Sequence, residues 1–372
     1  RLIREEKAFI REAVLLMLPM ILQNFVTFSM SMADTFMVGV LGETALAAVT
    51  MANSPFYVMQ LMIFGVQSGM SVLVAQYHGR GDQEAINRVM GIALFVSTTI
   101  TGLLAITAFC IPEQIMRVLT NNADLVAPGA AYTRYVGFSY FFSAISGVYI
   151  AAQRSTENPR LGAVLLTVSG ALNIFLNWVL IYGKLGAPML GCAGAAIATV
   201  ISQVASCAFV LCVLFGKHIE VPITFGGYDL KVIGRVTSIG MSAFLIILFD
   251  NVMLISLNMM LQRYGGDNSD MLLTCNTIVQ SFELLITMPL GGLTMGTQTI
   301  LGYNLGARRP EKILRAQRYI FVIAVSFCAL MTLAAQTIPH LFAGIFTKEP
   351  EYIAMTARLI RIYTLGTVLL GM

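Results

Sequence analysis

Ten long apolar stretches dominate the chain and constrain its fold more than any other feature. They lie near positions 13–38, 45–75, 91–111, 136–152, 161–182, 189–215, 236–261, 271–302, 319–338 and 352–372. Each approaches or exceeds the roughly 20 residues that an α-helix needs to cross a bilayer. With 57% hydrophobic and only 11% charged residues, the chain is too apolar to be surrounded by water. We therefore predict an all-α polytopic membrane protein with about ten spans in this sequence.

One sequence pattern occurs twice, at 65–89 and again at 292–316. The positions that are identical in both copies are Gly65 and Gly292, Gly69 and Gly296, Gly79 and Gly306, Glu84 and Glu311, Ile86 and Ile313, and Arg88 and Arg315. Repetition of a glycine-marked helix followed by a basic turn predicts two similar lobes. We assign residues 1–215 to the N-terminal lobe, 216–236 to a linker and 237–372 to the C-terminal lobe.

The repeated glycines have a structural interpretation that needs no binding role. Gly65 and Gly69 form a GxxxG pattern, which allows two membrane helices to approach closely. We therefore expect this stretch to serve packing and to mark the boundary between the halves, with the chemistry located elsewhere.

Basic residues predict the orientation of the chain. The loops on the same side as the N terminus hold most of the 23 lysines and arginines. Because such residues collect in short cytoplasmic loops, we predict a cytoplasmic N terminus and linker, in a multi-pass protein of the plasma (inner) membrane. The net charge of +4 reflects this bias, and we expect no nucleic-acid partner.

Asp34, near the end of the first apolar stretch, is a candidate for chemistry, because a carboxylate in such a segment usually faces a cavity or a partner. A position at the outer water interface is an alternative. Asn173 and Asn177, four residues apart, share one helical face. They could bond to each other and to Ser169 as a link between helices, or they could coordinate an ion beside Asp34.

The second half carries Asp250 and Glu283 inside apolar stretches. The 227-residue offset of the repeat maps neither of them onto Asp34, so the halves are predicted to be alike in packing and different in chemistry. Glu283 could also pair with a basic side chain at a lobe surface.

The sequence contains no phosphate-binding GxxxxGK[ST] motif and no arrangement typical of a hydrolase, so we expect neither ATP use by this chain nor enzymatic activity.

Several segments in this order resemble the multidrug and toxic compound extrusion (MATE) transporters. They are DTFMVG at 34–39, the stretch that begins at 65, the asparagine and small-residue segments within 172–199, and MPLGGLTMGTQTILGYNLGA at 288–307. The resemblance implies a twelve-helix antiporter of two six-helix lobes, related by an axis along the membrane normal, around a central cavity. It also implies that a native chain would continue for roughly two more spans, at about 20 residues each.

The resemblance also suggests functional positions. Asp34 corresponds to the acidic residue of the family's first span and Asn173 to an asparagine of its fifth. Asn177 stands where many members carry Asp, so a site with two carboxylates is not expected here. Asp250 matches an acidic residue of the seventh span, and Asn276 stands where some members have Gln.

On this basis we predict a secondary active multidrug efflux antiporter that exchanges organic cations for H⁺ or Na⁺ by alternating access. The predicted coupling residues are Asp34, Asn173, Asn177 and Asp250, with Na⁺ held by the first three, and the predicted substrate contacts are Asp34, Asp250, Asn276 and Glu283. We expect no cofactor, a monomer in the lipid bilayer, and organic cations as partners. The alternatives are a lipid-linked oligosaccharide flippase of the same superfamily and a membrane scaffold without transport.

Overall fold

The computed structural model describes residues 2–120, 122–214, 230–346 and 348–370, and nearly all of them are helical. The predicted all-α class is confirmed, since these ranges contain no strand. The helices are α1 (Leu2–Gly39), α2 (Glu43–Arg80), α3 (Gln83–Cys110), α4 (Pro112–Leu119), α5 (Ala123–Ser155), α6 (Pro159–Tyr182), α7 (Gly191–Leu214), α8 (Leu230–Tyr264), α9 (Ser269–Gly306), α10 (Pro310–Thr337), α11 (Pro339–Phe346), α12 (Pro350–Tyr363) and α13 (Thr367–Leu370).

Proline and glycine set several helix boundaries. Pro159 and Pro310 occupy the first turn of α6 and α10, where a missing N–H costs nothing. Gly81 and Gly183 end α2 and α6 with positive φ of 73° and 65°, a conformation that glycine adopts without strain. These residues explain why two long helices can follow each other with only short turns between them.

Eight helices in the described ranges are long and apolar enough to cross a membrane. They are α2, α3, α5, α6, α7, α8, α9 and α10. The predicted first span, 13–38, lies within α1, a helix of 38 residues. The predicted last span, 352–372, begins in α12, and the helical run continues through the 3-10 turn Thr364–Gly366 to the end of α13 at Leu370.

The internal repeat extends through consecutive helices. The lengths of α2 and α9 are both 38 residues, those of α3 and α10 both 28, and those of α4 and α11 both 8. The short helices α4 and α11, which the hydropathy pattern had not predicted, each begin at a proline after the third long helix of their half. The similarity of the two halves therefore includes connecting elements as well as spans.

The chain divides into two compact units. The first contains Arg1–Asn24, Ile246–Asn304 and Arg308–Met372, and the second contains Phe25–Leu245 and Leu305–Ala307. Of the predicted linker 216–236, residues 216–229 lie outside the described ranges, whereas 230–236 form the beginning of α8.

Each unit has its own apolar core. In the second unit the fully buried side chains include Phe56, Met70, Met90, Met116 and Ile181. In the first unit a cluster of Val279, Phe282, Ile286, Cys328 and Ile360 joins α9, α10 and α12. These cores fix the helices that carry the polar residues described below.

The repeated glycines lie at close helix contacts, as the packing interpretation predicted. A Cβ atom at Gly65 would lie 3.1 Å from the carbonyl oxygen of Gly240, and one at Gly69 would lie 2.9 Å from the Gly240 nitrogen. In the other unit, a Cβ at Gly292 would lie 2.9 Å from the backbone of Ile21. The prediction is confirmed: a side chain at any of these positions would separate the two helices.

Candidate functional site

Asp34 faces a cavity of about 450 Å³ in the second unit. The side chain is half-buried and is the only charged group among the described residues that line this cavity. The lining comes from α1, α2, α5 and α7 and consists of Thr27, Met30, Ser31, Asp34, Thr35, Val38, Leu46, Val49, Thr50, Asn53, Tyr132, Val136, Ser139, Tyr140, Ser143, Ala195, Thr199 and Gln203. A single negative charge in such a lining favours the binding of a cationic ligand.

A directed chain of hydrogen bonds connects Asp34 to two other helices. The side-chain amide of Asn177 donates to Asp34 Oδ1 and also to Asn173 Oδ1, the latter at 3.3 Å. Asn173 Nδ2 donates to Thr199 Oγ1 at 3.3 Å. The predicted group of Asp34, Asn173 and Asn177 is thus brought together, and Thr199 extends it onto α7.

The two asparagines link helices, as one of the two sequence interpretations proposed. They bond to each other, to α1 and to α7, but Ser169 is not part of this chain, because its hydroxyl donates to the backbone oxygen of Ser202 at 3.3 Å. Sequence spacing placed Ser169 on the correct face of α6, and the neighbouring helix determined its partner.

One acceptor in this group has no partner. Asn177 is 1% exposed, and its Oδ1 is buried without a hydrogen bond. Leaving a buried acceptor unsatisfied costs free energy, and this oxygen belongs to the same amide that contacts Asp34.

A carboxylate together with amide and hydroxyl oxygens is a donor set that suits a hard cation. No cluster of three or more His, Cys, Asp or Glu suited to a transition metal occurs in the described ranges.

Aromatic side chains from α5 form another wall of the cavity, and sequence reasoning missed them. Tyr132 donates a hydrogen bond to Asn53 Oδ1 at 3.2 Å. Tyr140 stacks on Phe56 with ring centroids 5.1 Å apart and an interplanar angle of 4°. The sequence placed the start of this span at residue 136, which excluded Tyr132. The spacing of the two tyrosines, eight residues on one helical face, was the signal available.

In the first unit, Glu283 is half-buried and accepts a hydrogen bond from Tyr363 Oη at 2.9 Å. Its partner is therefore a phenol rather than the basic side chain considered from sequence. Asp250 is exposed on α8. Asn276 is buried and donates to Asn258 Oδ1 at 2.8 Å.

The predicted residues therefore form separate groups. Glu283 is hydrogen-bonded to Tyr363 of α12, whereas Asn276 is hydrogen-bonded to Asn258 of α8. Asp34 and Asp250 belong to different compact units.

Comparison with known proteins gives the family. The MatE family model matches residues 19–179 and 242–372. The chain is 24% identical to the probable multidrug resistance protein NorM of Thermotoga maritima, over 95% of this chain and 76% of that protein. It is 26% identical to the probable multidrug resistance protein NorM of Rhizobium meliloti, over 92% of this chain and 73% of that protein.

Solved structures agree in fold. A crystal structure described as MATE in the bent conformation superposes with a TM-score of 0.86 at 24% identity, covering 97% of this chain and 79% of that one. An outward-facing multidrug resistance MATE family transporter superposes with a TM-score of 0.84 at 23% identity, with the same coverage. Because the family model covers most of the sequence, the chain belongs to the MatE family of multidrug and toxic compound extrusion transporters.

Proposed function

We propose that this chain is a multidrug efflux antiporter that exports organic cations in exchange for H⁺ or Na⁺ by alternating access. The observation that carries the proposal is the position of Asp34, which is the one charged side chain that the described part of the chain contributes to the lining of a cavity of about 450 Å³. The names of relatives such as the multidrug export protein MepA of Staphylococcus aureus support the substrate class.

Charge competition at Asp34 supplies the coupling. A carboxylate in a partly desolvated site is costly to leave unpaired, so the departure of one cation favours the binding of another. An organic cation leaving the cavity would be replaced by H⁺ or Na⁺, and the reverse exchange would reload the site. Asn173 and Asn177 supply oxygen atoms beside Asp34 that could complete the coordination of Na⁺.

The proposal also includes a substrate region in the first unit, to which we assign Asp250, Glu283 and Asn276. Glu283 places a carboxylate beside the phenol of Tyr363, which suits a cationic ligand with an aromatic contact. We propose Asp250 as a further coupling residue because it is a carboxylate within the candidate span α8, where such groups usually face a cavity or a partner.

Orientation and assembly complete the proposal. We propose that the N terminus is cytoplasmic in the plasma membrane, because the loops on that side hold most of the basic residues, and that the transporter works as a monomer.

Transport by purified protein in liposomes tests the proposal. Asp34→Asn should abolish gradient-driven movement of a fluorescent organic cation, while Glu113→Gln, on the exposed surface of α4, should leave it near the wild-type rate. Undiminished transport by Asp34→Asn would overturn the role of Asp34. Imposing a Na⁺ gradient and a pH gradient separately identifies the coupling ion.

A further inference from the structure

We infer that Met30 is a positioning residue. Its packing contact at Gly170 sets the axial position of α1 against α6 and so brings Asp34 within hydrogen-bond distance of Asn177. The transport consequence rests on the proposed function, whereas the structural part can be tested without transport. Neither residue is charged, and neither was singled out by the sequence.

The contact between Met30 and Gly170 is unusually close. A Cβ atom at Gly170 would lie 2.6 Å from Cε and 2.8 Å from Cγ of Met30. These distances are below ordinary carbon–carbon contact, so Met30 fits against α6 because position 170 has no side chain. Any side chain at position 170 would occupy the space that Met30 fills.

The spacing along both helices connects this contact to the hydrogen bond between Asp34 and Asn177. Met30 and Asp34 are four residues apart, and Gly170 and Asn177 are seven residues apart, so each pair lies on one face of its helix. A further contact follows in the same direction, where Tyr182 Oη donates to the backbone oxygen of Met37 at 2.8 Å. Asp34 thus lies between two fixed points.

Axial register matters because a hydrogen bond tolerates little displacement. A helix rises about 1.5 Å per residue, while side-chain hydrogen bonds occupy a distance range of only about 0.5 Å. Loss of the contact between Met30 and Gly170 would let α1 shift or rotate by enough to separate Asp34 from Asn177. Tyr182 restrains only the end of α1, because it bonds to the backbone three residues beyond Asp34.

Substitutions at this contact should alter the site without unfolding the chain. Met30 also lines the cavity, so Gly170→Ala can displace its flexible side chain into open space. Met30→Ala instead leaves empty the space next to Gly170 that the methionine side chain fills. The double variant Met30→Ala with Gly170→Ala places a small side chain on each helix and should recover part of the loss. Met32→Ala, on an exposed side of α1, is the matched control.

A stability cycle tests the positioning role directly. The fall in melting temperature caused by Asn177→Ala should be reduced by about half or more in the Met30→Ala background, because the bond to Asp34 is already weakened there. The same fall should persist in the Met32→Ala background. Equal falls in all three backgrounds would overturn the inference, and this result does not depend on whether the protein transports anything.

The pH profile of transport gives a second readout that packing alone would not change. Within the described ranges, Asp34 is the only charged residue in the cavity lining, and the other titratable side chains there are Tyr132 and Tyr140 of α5. Met30→Ala and Gly170→Ala should shift the pH midpoint by about half a unit or more, in the same direction as Asn177→Ala. Lower rates with an unchanged midpoint would contradict positioning. Wild-type transport by both Asp34→Asn and Asn177→Ala would instead refute the proposed function.

Discussion

The side-chain amide of Asn177 donates a hydrogen bond to the carboxylate of Asp34, although the two residues are 143 positions apart in the chain. The same amide donates to Asn173, so both of its N–H groups point toward acceptors and its oxygen is left without a partner. The site in this half of the protein therefore contains one carboxylate, whose closest polar neighbour is neutral.

A second carboxylate should make this site depend on a bound cation. Asn177→Asp would place two carboxylates side by side, and such pairs repel unless they share a proton. The melting temperature of this variant should fall more steeply than that of the wild type between about pH 5 and pH 9, and Na⁺ should raise it more than it raises the wild type at the upper end. Asn122→Asp, at an exposed helix cap, controls for added charge. Parallel melting curves would refute the prediction.

The contact between α2 and α8 should be intolerant of any side chain at Gly69. A Cβ there would meet backbone atoms of Val236 and Gly240, which cannot move aside as a flexible side chain can. Gly69→Ala should lower the free energy of unfolding by about 1 to 3 kcal/mol. Gly234→Ala lies on α8 with open space around it and should be neutral or stabilising by up to about 1 kcal/mol. Equal effects in denaturant titrations would show that helix propensity, not close contact, determines the result.

The hydroxyl of Tyr363 should contribute measurably to the stability of the first unit. It donates to Glu283 at 2.9 Å, and hydrogen bonds to charged groups contribute roughly 1.5 to 3 kcal/mol. Tyr363→Phe should therefore lower the free energy of unfolding by about 1 to 3 kcal/mol. Tyr264→Phe, on an exposed ring, removes a hydroxyl without such a bond and should have little effect. A fall of the same size in both variants would contradict the assignment.

The aromatic wall should contribute to the affinity for planar organic cations. Tyr140 lines the cavity and is held in place by its stacking on Phe56. Tyr140→Leu removes a ring that can attract a cation, an interaction worth about 0.5 to 2 kcal/mol, so the dissociation constant of a quaternary ammonium dye should rise by about 2- to 30-fold. Tyr140→Phe keeps the ring and should bind nearly as well as the wild type. Fluorescence titration distinguishes these outcomes, and equal weakening by both variants would point to the hydroxyl instead.

Sequence reasoning succeeded where a property repeats along the chain. The apolar stretches predicted an all-helical membrane protein, and the duplicated glycine pattern predicted close helix contacts such as that of Gly65 with Gly240. It did not predict the short helices α4 and α11, because eight residues are far fewer than the roughly 20 of a span and do not stand out in a hydropathy pattern.

The candidate site was predicted in part. Asp34, Asn173 and Asn177 stood out because carboxylates and amides are rare inside apolar segments, and the structure brings them together. Tyr132 and Met30 did not stand out, because tyrosine and methionine are ordinary residues in membrane helices. The position of Tyr132 in the cavity lining and the contact of Met30 with Gly170 are visible only in three dimensions.

The sequence by itself determined the fold class, the repeat and the rare polar groups, because these follow from composition and spacing along one chain. Only the tertiary structure decided the partners: that Asn177 contacts Asp34, that Tyr363 rather than a basic side chain contacts Glu283, and that Met30 packs at Gly170. The physical reason is that helical periodicity fixes which face a residue occupies, whereas the partner depends on the rotation and axial position of a distant helix. Those two quantities are set by close packing across the whole unit.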